Sequence, residues 1–241
     1  MAMATEVVVT LPRLHPKQIE IVKSSARFNV LDCGRRFGKT SLAVDRMVRR
    51  LLQGQRVAYC APIYEMCAHV WGIMKSKLMV SDEMGRKLVT HKNETRLQMV
   101  LANGAVFDCW SMDADSSMLG LYYDYMVVDE AARIPQLLYK WEKTLRALLV
   151  DTKGHALFLS TPWGFNDFYT LWSYGANGEK DWASWQMPSH FNPHLDPEEL
   201  ADIERTISPT RWRQEYLAEF IDDAGGVFRG VRDVATGKRA E

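Results

Sequence analysis

A chain of 241 residues spans one to two average domains, and α/β folds commonly take this length as a single unit. With 47% hydrophobic and 25% charged residues, the composition is that of a globular protein with a sizeable core, which excludes disorder for the bulk of the chain. Thirty Lys and Arg against thirty Asp and Glu leave no net charge, so any polyanion must be met by local patches and not by a global field.

Hydrophobic periodicity alternates strands with helices. Residues 28–33 (FNVLDC) read as a buried strand, and the apolar positions Leu42, Val44, Met47, Val48, Leu51 and Leu52 predict a helix from 39 to about 53. A second strand, 56–60, is closed by Ala61-Pro62, and Met66, Val70, Ile73, Met74 and Leu78 predict a helix over 65–79. Segments 96–101 and 105–110 flank Ala102-Asn103-Gly104, a turn signal that predicts an antiparallel hairpin. Residues 125–129 form a short apolar strand ending in an acid. Pro135 is placed to open a helix running to 150, and 155–160 (HALFLS) is a further strand. Strands buried on both faces and separated by helices imply a mainly parallel sheet whose ligands sit beyond the carboxyl ends of its strands. From residue 222 onward, Gly225, Gly226, Gly230 and Gly237 predict a domain end and then a flexible tail.

No apolar run approaches the roughly 18 residues needed to cross a bilayer, and no charged-then-apolar signal opens the chain, so a soluble, unsecreted protein is expected. Cys33, Cys60, Cys67 and Cys109 form no CxxC pair and read as buried thiols. Pro193 between His190 and His194 argues against a shared helical face and hence a metal site.

The chemistry concentrates at strand ends. Gly34-Arg35-Arg36-Phe37-Gly38-Lys39-Thr40 joins an apolar strand to an amphipathic helix, the context of a phosphate-binding loop. Its backbone amides and helix start would face phosphate, Lys39 would reach the β and γ phosphates, and the Thr40 hydroxyl would help hold Mg²⁺. The spacing departs from the usual pattern, since the first glycine would fall at Cys33. Asp129, at the end of its strand, is suited to Mg²⁺, and Glu130 to deprotonating an attacking water. Ser160 and Thr161 offer hydroxyls where a γ phosphate could be sensed, although the same residues also suit a Ser-Thr-Pro turn. Gln18, in the stretch before the first helix, carries an amide suited to an adenine edge.

These motifs, in this order, resemble the ATPase domain of the large terminase subunit, the DNA-packaging motor of tailed bacteriophages. The resemblance covers residues 14–228 and rests on GRRFGKT (34–40), APIYEMC (61–67), MVVDEAARIP (126–135), STPWGFNDFY (160–169) and RQEYLAEFIDDAGGVF (213–228). It implies an additional-strand P-loop NTPase fold with a central, mainly parallel sheet, flanking helices and a hairpin insertion. The implied activity is Mg²⁺-dependent ATP hydrolysis coupled to translocation of double-stranded DNA into a procapsid. The implied partners are the portal protein, a small terminase subunit and further copies in a homo-oligomeric ring of about five subunits. The implied location is the host cytoplasm, with transient attachment to the portal.

By the same resemblance, Arg35 and Arg36 match the family's arginine-bearing loop, Ser160, Thr161 and Pro162 its coupling motif, and Gln18 its adenine-contacting glutamine. Ring motors place a neighbour's arginine against the γ phosphate, and Arg96 is the candidate, with a solvated strand end as the competing reading. Leu119 stands where the family often has an arginine before Gly120. The ATPase domain is expected to occupy residues 1–228, with 229–241 as the start of a linker, and no nuclease activity is expected from this chain. Arg46, Arg49, Arg50, Lys75, Lys77, Arg211 and Arg213 are candidates for salt-sensitive DNA contact. Two other readings stay open: a helicase-like translocase, and an assembly scaffold that binds ATP without turnover.

Overall fold

The computed structural model describes residues 7–113, 118 and 120–222. An eight-stranded sheet forms the middle layer. In chain order its strands are β1 (Phe28–Cys33), β2 (Arg56–Ala61), β3 (Val89–Asn93), β4 (Gln98–Leu101), β5 (Val106–Ser111), β6 (Tyr125–Val128), β7 (His155–Ser160) and β8 (Trp182–Met187). Their spatial order is β3-β4-β5-β2-β6-β7-β1-β8, in which β5 through β8 run parallel and β4 is antiparallel to both of its neighbours.

Alternation along each central strand divides the core in two. Leu31 and Cys33 of β1, Tyr125 and Val127 of β6, and Leu157 and Leu159 of β7 face one cluster; Phe28 and Val30, Met126 and Val128, and Ala156 and Phe158 face the other. The first cluster is covered by α1 (Pro16–Lys23), α2 (Lys39–Leu52) and α3 (Tyr64–Leu78), through residues such as Ile21, Leu42, Met47, Val70 and Met74. The second is covered by α4 (Leu137–Lys140) with the turns that follow it, and by α5 (Asp167–Ala176) through Phe168 and Leu171. Two further helices, α6 (Pro197–Thr206) and α7 (Pro209–Glu215), bury no residue, and each starts at a capping side chain, Asp196 or Ser208, followed by proline.

The predicted central strands and the helices after β1 and β2 are present to within a residue or two. The hairpin is present too, turning at Asn103 and Gly104, and it extends the sheet, because β5 also pairs in parallel with β2. The single helix predicted over 135–150 is instead three short pieces: α4, a π turn at Trp141–Leu145 and a 3-10 turn at Ala147–Leu149. The wider π turn falls at Trp141, whose buried ring meets Phe28 and Phe158 edge-on at 5.1 Å. The four cysteines are free and buried, and burial raises their thiols, that of Cys67 to about 12. No group of three potential metal ligands occurs among the described residues, and no helix there is long and apolar enough to cross a membrane. The expected domain end at 228 and tail at 229–241 lie outside the described residues, as does Leu119.

Asp32 is an unusual core residue: fully buried on β1, with neither carboxyl oxygen hydrogen-bonded. Gln186, opposite it in register, donates its amide to the Ala218 carbonyl instead. Burial lifts the Asp32 carboxyl well above its usual range, and attraction to Lys39 and the nearby Gln186 amide offset this only in part. The folded chain therefore holds this proton more tightly than the unfolded chain, so stability falls as pH rises from about 4 through the folded pKa. Asp32→Asn should melt higher than the parent at pH 8 and converge with it near pH 4, as measured by circular dichroism; equal melting temperatures at pH 8 would contradict this account.

Candidate functional site

The carboxyl ends of β1, β6 and β7 lie side by side, and the site forms where they deliver their next residues. After β1 the chain turns through residues 34–38 into α2. Gly34 donates to the Met187 carbonyl at 3.0 Å, and a Cβ there would collide with the Ser189 hydroxyl and the Tyr216 carbonyl. Gly38 has φ +104°, and its Cβ would lie 2.6 Å from Gln18 Nε2. Glycine therefore stands where the backbone is approached closely, and Cys33, still inside the buried strand, has no need to be one. Phe37 plugs the loop into the core with its ring edge-on to His15 at 4.9 Å.

Lys39 opens α2 with a largely buried side chain. Its ammonium donates to Thr161 Oγ1 at 2.8 Å and lies 3.6 Å from Glu130 Oε1. Burial opposes this charge, but Cys33 and the carboxylates of Glu130 and Asp129 together outweigh it and hold the Lys39 pKa above its ordinary value. Glu130, at φ +45°, also lies 3.8 Å from Arg133 Nε, and that guanidinium stacks 4.5 Å from the centre of the Trp163 ring. Asp129 is buried; its Oδ1 accepts from the Glu130 amide at 2.9 Å and its Oδ2 from the Tyr59 hydroxyl at 2.8 Å. Burial, then repulsion from Glu130, raises the Asp129 carboxyl, and the hydrogen bond from Tyr59 works in the opposite direction. Burial and Asp129 also raise the Tyr59 phenol, which keeps it a donor.

A cavity of about 450 Å³ opens over this cluster, lined by Arg35, Arg36, Lys39, Glu130, Arg133 and Thr161 among others. Five sequence-predicted residues thus share one wall. Thr40 follows Lys39 in the first turn of α2. Ser160 lies behind the cavity, buried, accepting from the Ala132 amide and donating to the Thr161 carbonyl. Phe37 contributes backbone only, because its side chain is in the core. Arg35 is paired through Nε with Glu215 at 2.7 Å, and its amide donates to the Glu215 carbonyl.

Two predicted residues stand elsewhere. Gln18 belongs to α1 and is buried; its Oε1 accepts from the His15 amide and its Nε2 donates to the Gly38 carbonyl. Arg96 is in the turn between β3 and β4, not in a strand, and lines a different cavity with Gln98 and Asp108. Five strand steps separate β4 from β1, which is about 24 Å. Among the DNA candidates, Arg49 is paired with Asp45, Lys75 with Glu94 and Arg213 with Glu219. Sequence reasoning missed Tyr59, Arg133, Trp163 and Glu215. Tyr59 reads as one more apolar strand position, and the other three lie in quoted segments but are marked by no spacing rule.

A mainly parallel sheet in which β7 separates β1, with its glycine-flanked loop, from the acidic strand β6, with helices on both faces, is the P-loop NTPase fold of the additional-strand type. The family described as terminase large subunit, T4likevirus-type, N-terminal, matches residues 31–232, and the chain belongs to that family. A large terminase subunit of Escherichia phage T5 is 29% identical over 208 residues, covering 84% of this chain and 46% of that protein. One from Thermus phage G20c is 27% identical over 247 residues, covering 90% and 50%. The chain therefore spans about half the length of the curated relatives it matches. The large terminase ATPase domain of Thermus phage P74-26 has the same fold, with a TM-score of 0.72 and 24% identity over 87% of this chain and 94% of that one. The large terminase of the thermophilic bacteriophage D6E, solved in complex with ATP-gamma-S, has a TM-score of 0.66 at 14% identity, covering 87% and 53%.

Tyr59→Phe removes one donor from a buried carboxylate while keeping the ring in place. It should lower unfolding free energy by about 1–3 kcal/mol in a guanidinium titration; an unchanged midpoint would mean that this hydrogen bond does not hold Asp129.

Proposed function

We propose that this chain is the ATP-hydrolysing motor domain of a viral DNA-packaging terminase. The observation that carries the reading is the convergence of Lys39, Glu130 and Thr161, from three separate strand ends, on one cavity bordered by Arg35 and Arg36. A triphosphate entering there meets the start of α2 and a cluster of cations. Lys39 would exchange its contacts with Glu130 and Thr161 for phosphate oxygens, which frees the Glu130 carboxylate to orient a water and take its proton. Thr161 and Ser160 would feel the loss of the γ phosphate, and Ser160 would pass it to the backbone of Ala132. Thr40 and Asp129 offer only oxygen donors, the set that suits Mg²⁺, and the chemistry this ion supplies is neutralisation of phosphate charge.

In this reading residues 1–228 are the motor domain and 229–241 begin a linker. The motor acts on double-stranded DNA with a portal protein and a small terminase subunit, in the host cytoplasm, as a ring. Arg96 lines a different cavity, beside a strand five steps from β1, which favours action on a neighbouring subunit's nucleotide over action on its own.

Glu130→Gln should retain nucleotide binding and lose turnover by about 100-fold or more, whereas Lys39→Ala should lose binding. A Glu130→Gln protein that hydrolyses ATP at the parent's rate would remove Glu130 as the base, and binding without turnover in the parent itself would favour the scaffold. Specific ATPase rate should also rise with protein concentration in the parent and stay flat in Arg96→Ala. Parallel curves would dismiss Arg96 as the shared arginine.

A further inference from the structure

The phosphate loop is held by more than its own glycines. Four consecutive carbonyls along its back are each taken by a side chain from a distant part of the sequence. The Ser189 hydroxyl donates to the Arg35 carbonyl at 2.6 Å, and Asn192 Nδ2 to that of Arg36 at 2.7 Å. His15 Nε2 donates to the Phe37 carbonyl at 2.9 Å, and Gln18 Nε2 to that of Gly38 at 2.9 Å. His15, Gln18 and Ser189 are buried. The 3-10 turn that carries Ser189 is itself tied down, because the Ser189 amide donates to the Tyr216 carbonyl at 2.7 Å.

A trans peptide is planar, so the carbonyl of one residue and the amide of the next point in opposite directions. Fixing the carbonyls of residues 35–38 on the back of the loop therefore turns the amides of residues 36–39 toward its front. The Phe37 amide is used within the loop, on the Gly34 carbonyl at 3.3 Å. Those of Arg36 and Gly38 make no hydrogen bond among the described residues, and that of Lys39 belongs to the first turn of α2, where amides have no partner within the helix. Outward amides of this kind form an anion-binding concavity.

We propose that His15, Gln18, Ser189 and Asn192 are positioning residues that clamp the phosphate loop from behind. The proposal rests on the triphosphate site described above and extends it to two segments, 15–18 and 189–192, that lie behind the loop. Gln18 gives one amide hydrogen to the Gly38 carbonyl while its Oε1 accepts from the His15 amide, so the two clamp residues of this segment also hold each other. The clamp acts on polyphosphate whatever base is attached.

The test compares Mg²⁺-ATP, Mg²⁺-GTP and Mg²⁺-tripolyphosphate, which has no base, by calorimetric titration of the 241-residue chain. The variants are Gln18→Ala, Gln18→Glu and Asn192→Ala. Gln18→Glu keeps the volume but replaces the donor facing the Gly38 carbonyl. Asn192 is only half-buried, so its truncation leaves the core intact. Each variant should weaken all three ligands by about three- to tenfold, with the ratio of ATP to GTP affinity unchanged. The proposal is overturned if Gln18→Ala weakens ATP alone and leaves tripolyphosphate as in the parent, or if Asn192→Ala binds all three as the parent does. A parent chain that binds none of the three would refute the nucleotide site and the clamp together, whereas a binding parent with unaffected variants refutes the clamp alone.

Discussion

Everything in the site depends on one feature of the sheet, the insertion of β7 between β1 and β6 in parallel register. Asp32 pairs with Ser160 and Val128 with Phe158, so the residues that follow these strands emerge at one edge. Lys39 then reaches Thr161 and Glu130, residues more than 90 positions away in the chain, with a single side chain. Were β1 and β6 direct neighbours, no hydroxyl would stand between the lysine and the glutamate, and the signal proposed to run from phosphate to the Ala132 backbone would have no first member.

The charges collected there do not serve stability. Lys39, Glu130 and Asp129 are withdrawn from water to different degrees, and buried ion pairs of this kind seldom recover their desolvation cost. The raised Asp129 carboxyl records the same strain, since repulsion from Glu130 adds to burial. Such a cluster persists because the surrounding fold over-determines it, through Tyr59 on one side and the Glu130 amide on the other. These perturbed groups stand at strand ends beside a cavity whose lining includes Arg35, Arg36 and Arg133.

The end of α7 and the segment after it close the structure over the loop. Glu215 pairs with Arg35 through side chain and backbone, the Tyr216 carbonyl anchors Ser189, and the Phe220 ring sits among Phe168, Tyr169 and Trp172. This gives physical content to the RQEYLAEF stretch that helped to identify the family. Gln214 and Glu215 of this stretch line the candidate cavity, so the end of α7 and the loop at Arg35 share hydrogen bonds.

How much of this was legible in the sequence follows from where each element lies. The central strands β1, β2, β6 and β7 are buried on both faces and so read as apolar runs, and α2 and α3 carry an apolar stripe against them. The edge strands β3 and β8 did not show themselves, because β3 buries only Val89 and β8 only Met187. Lys39, Asp129, Glu130 and Thr161 could be named in advance because each immediately follows, or nearly follows, a recognisable strand. The fragmentation of the helix around Trp141 could not, since it answers to aromatic rings supplied by three other elements.

Sequence alone determined the layered α/β class, the glycine-flanked loop between β1 and α2, and the acidic strand end, because those depend on burial period and on residues adjacent in the chain. Only the tertiary structure decided that Gln18 faces the loop backbone, that Arg96 lines a different cavity from Lys39, and that Ser189 and Asn192 hold carbonyls more than 150 positions away. Hydrogen bonds between distant segments leave no periodic trace in a sequence, and their partners are chosen when the sheet brings the segments together.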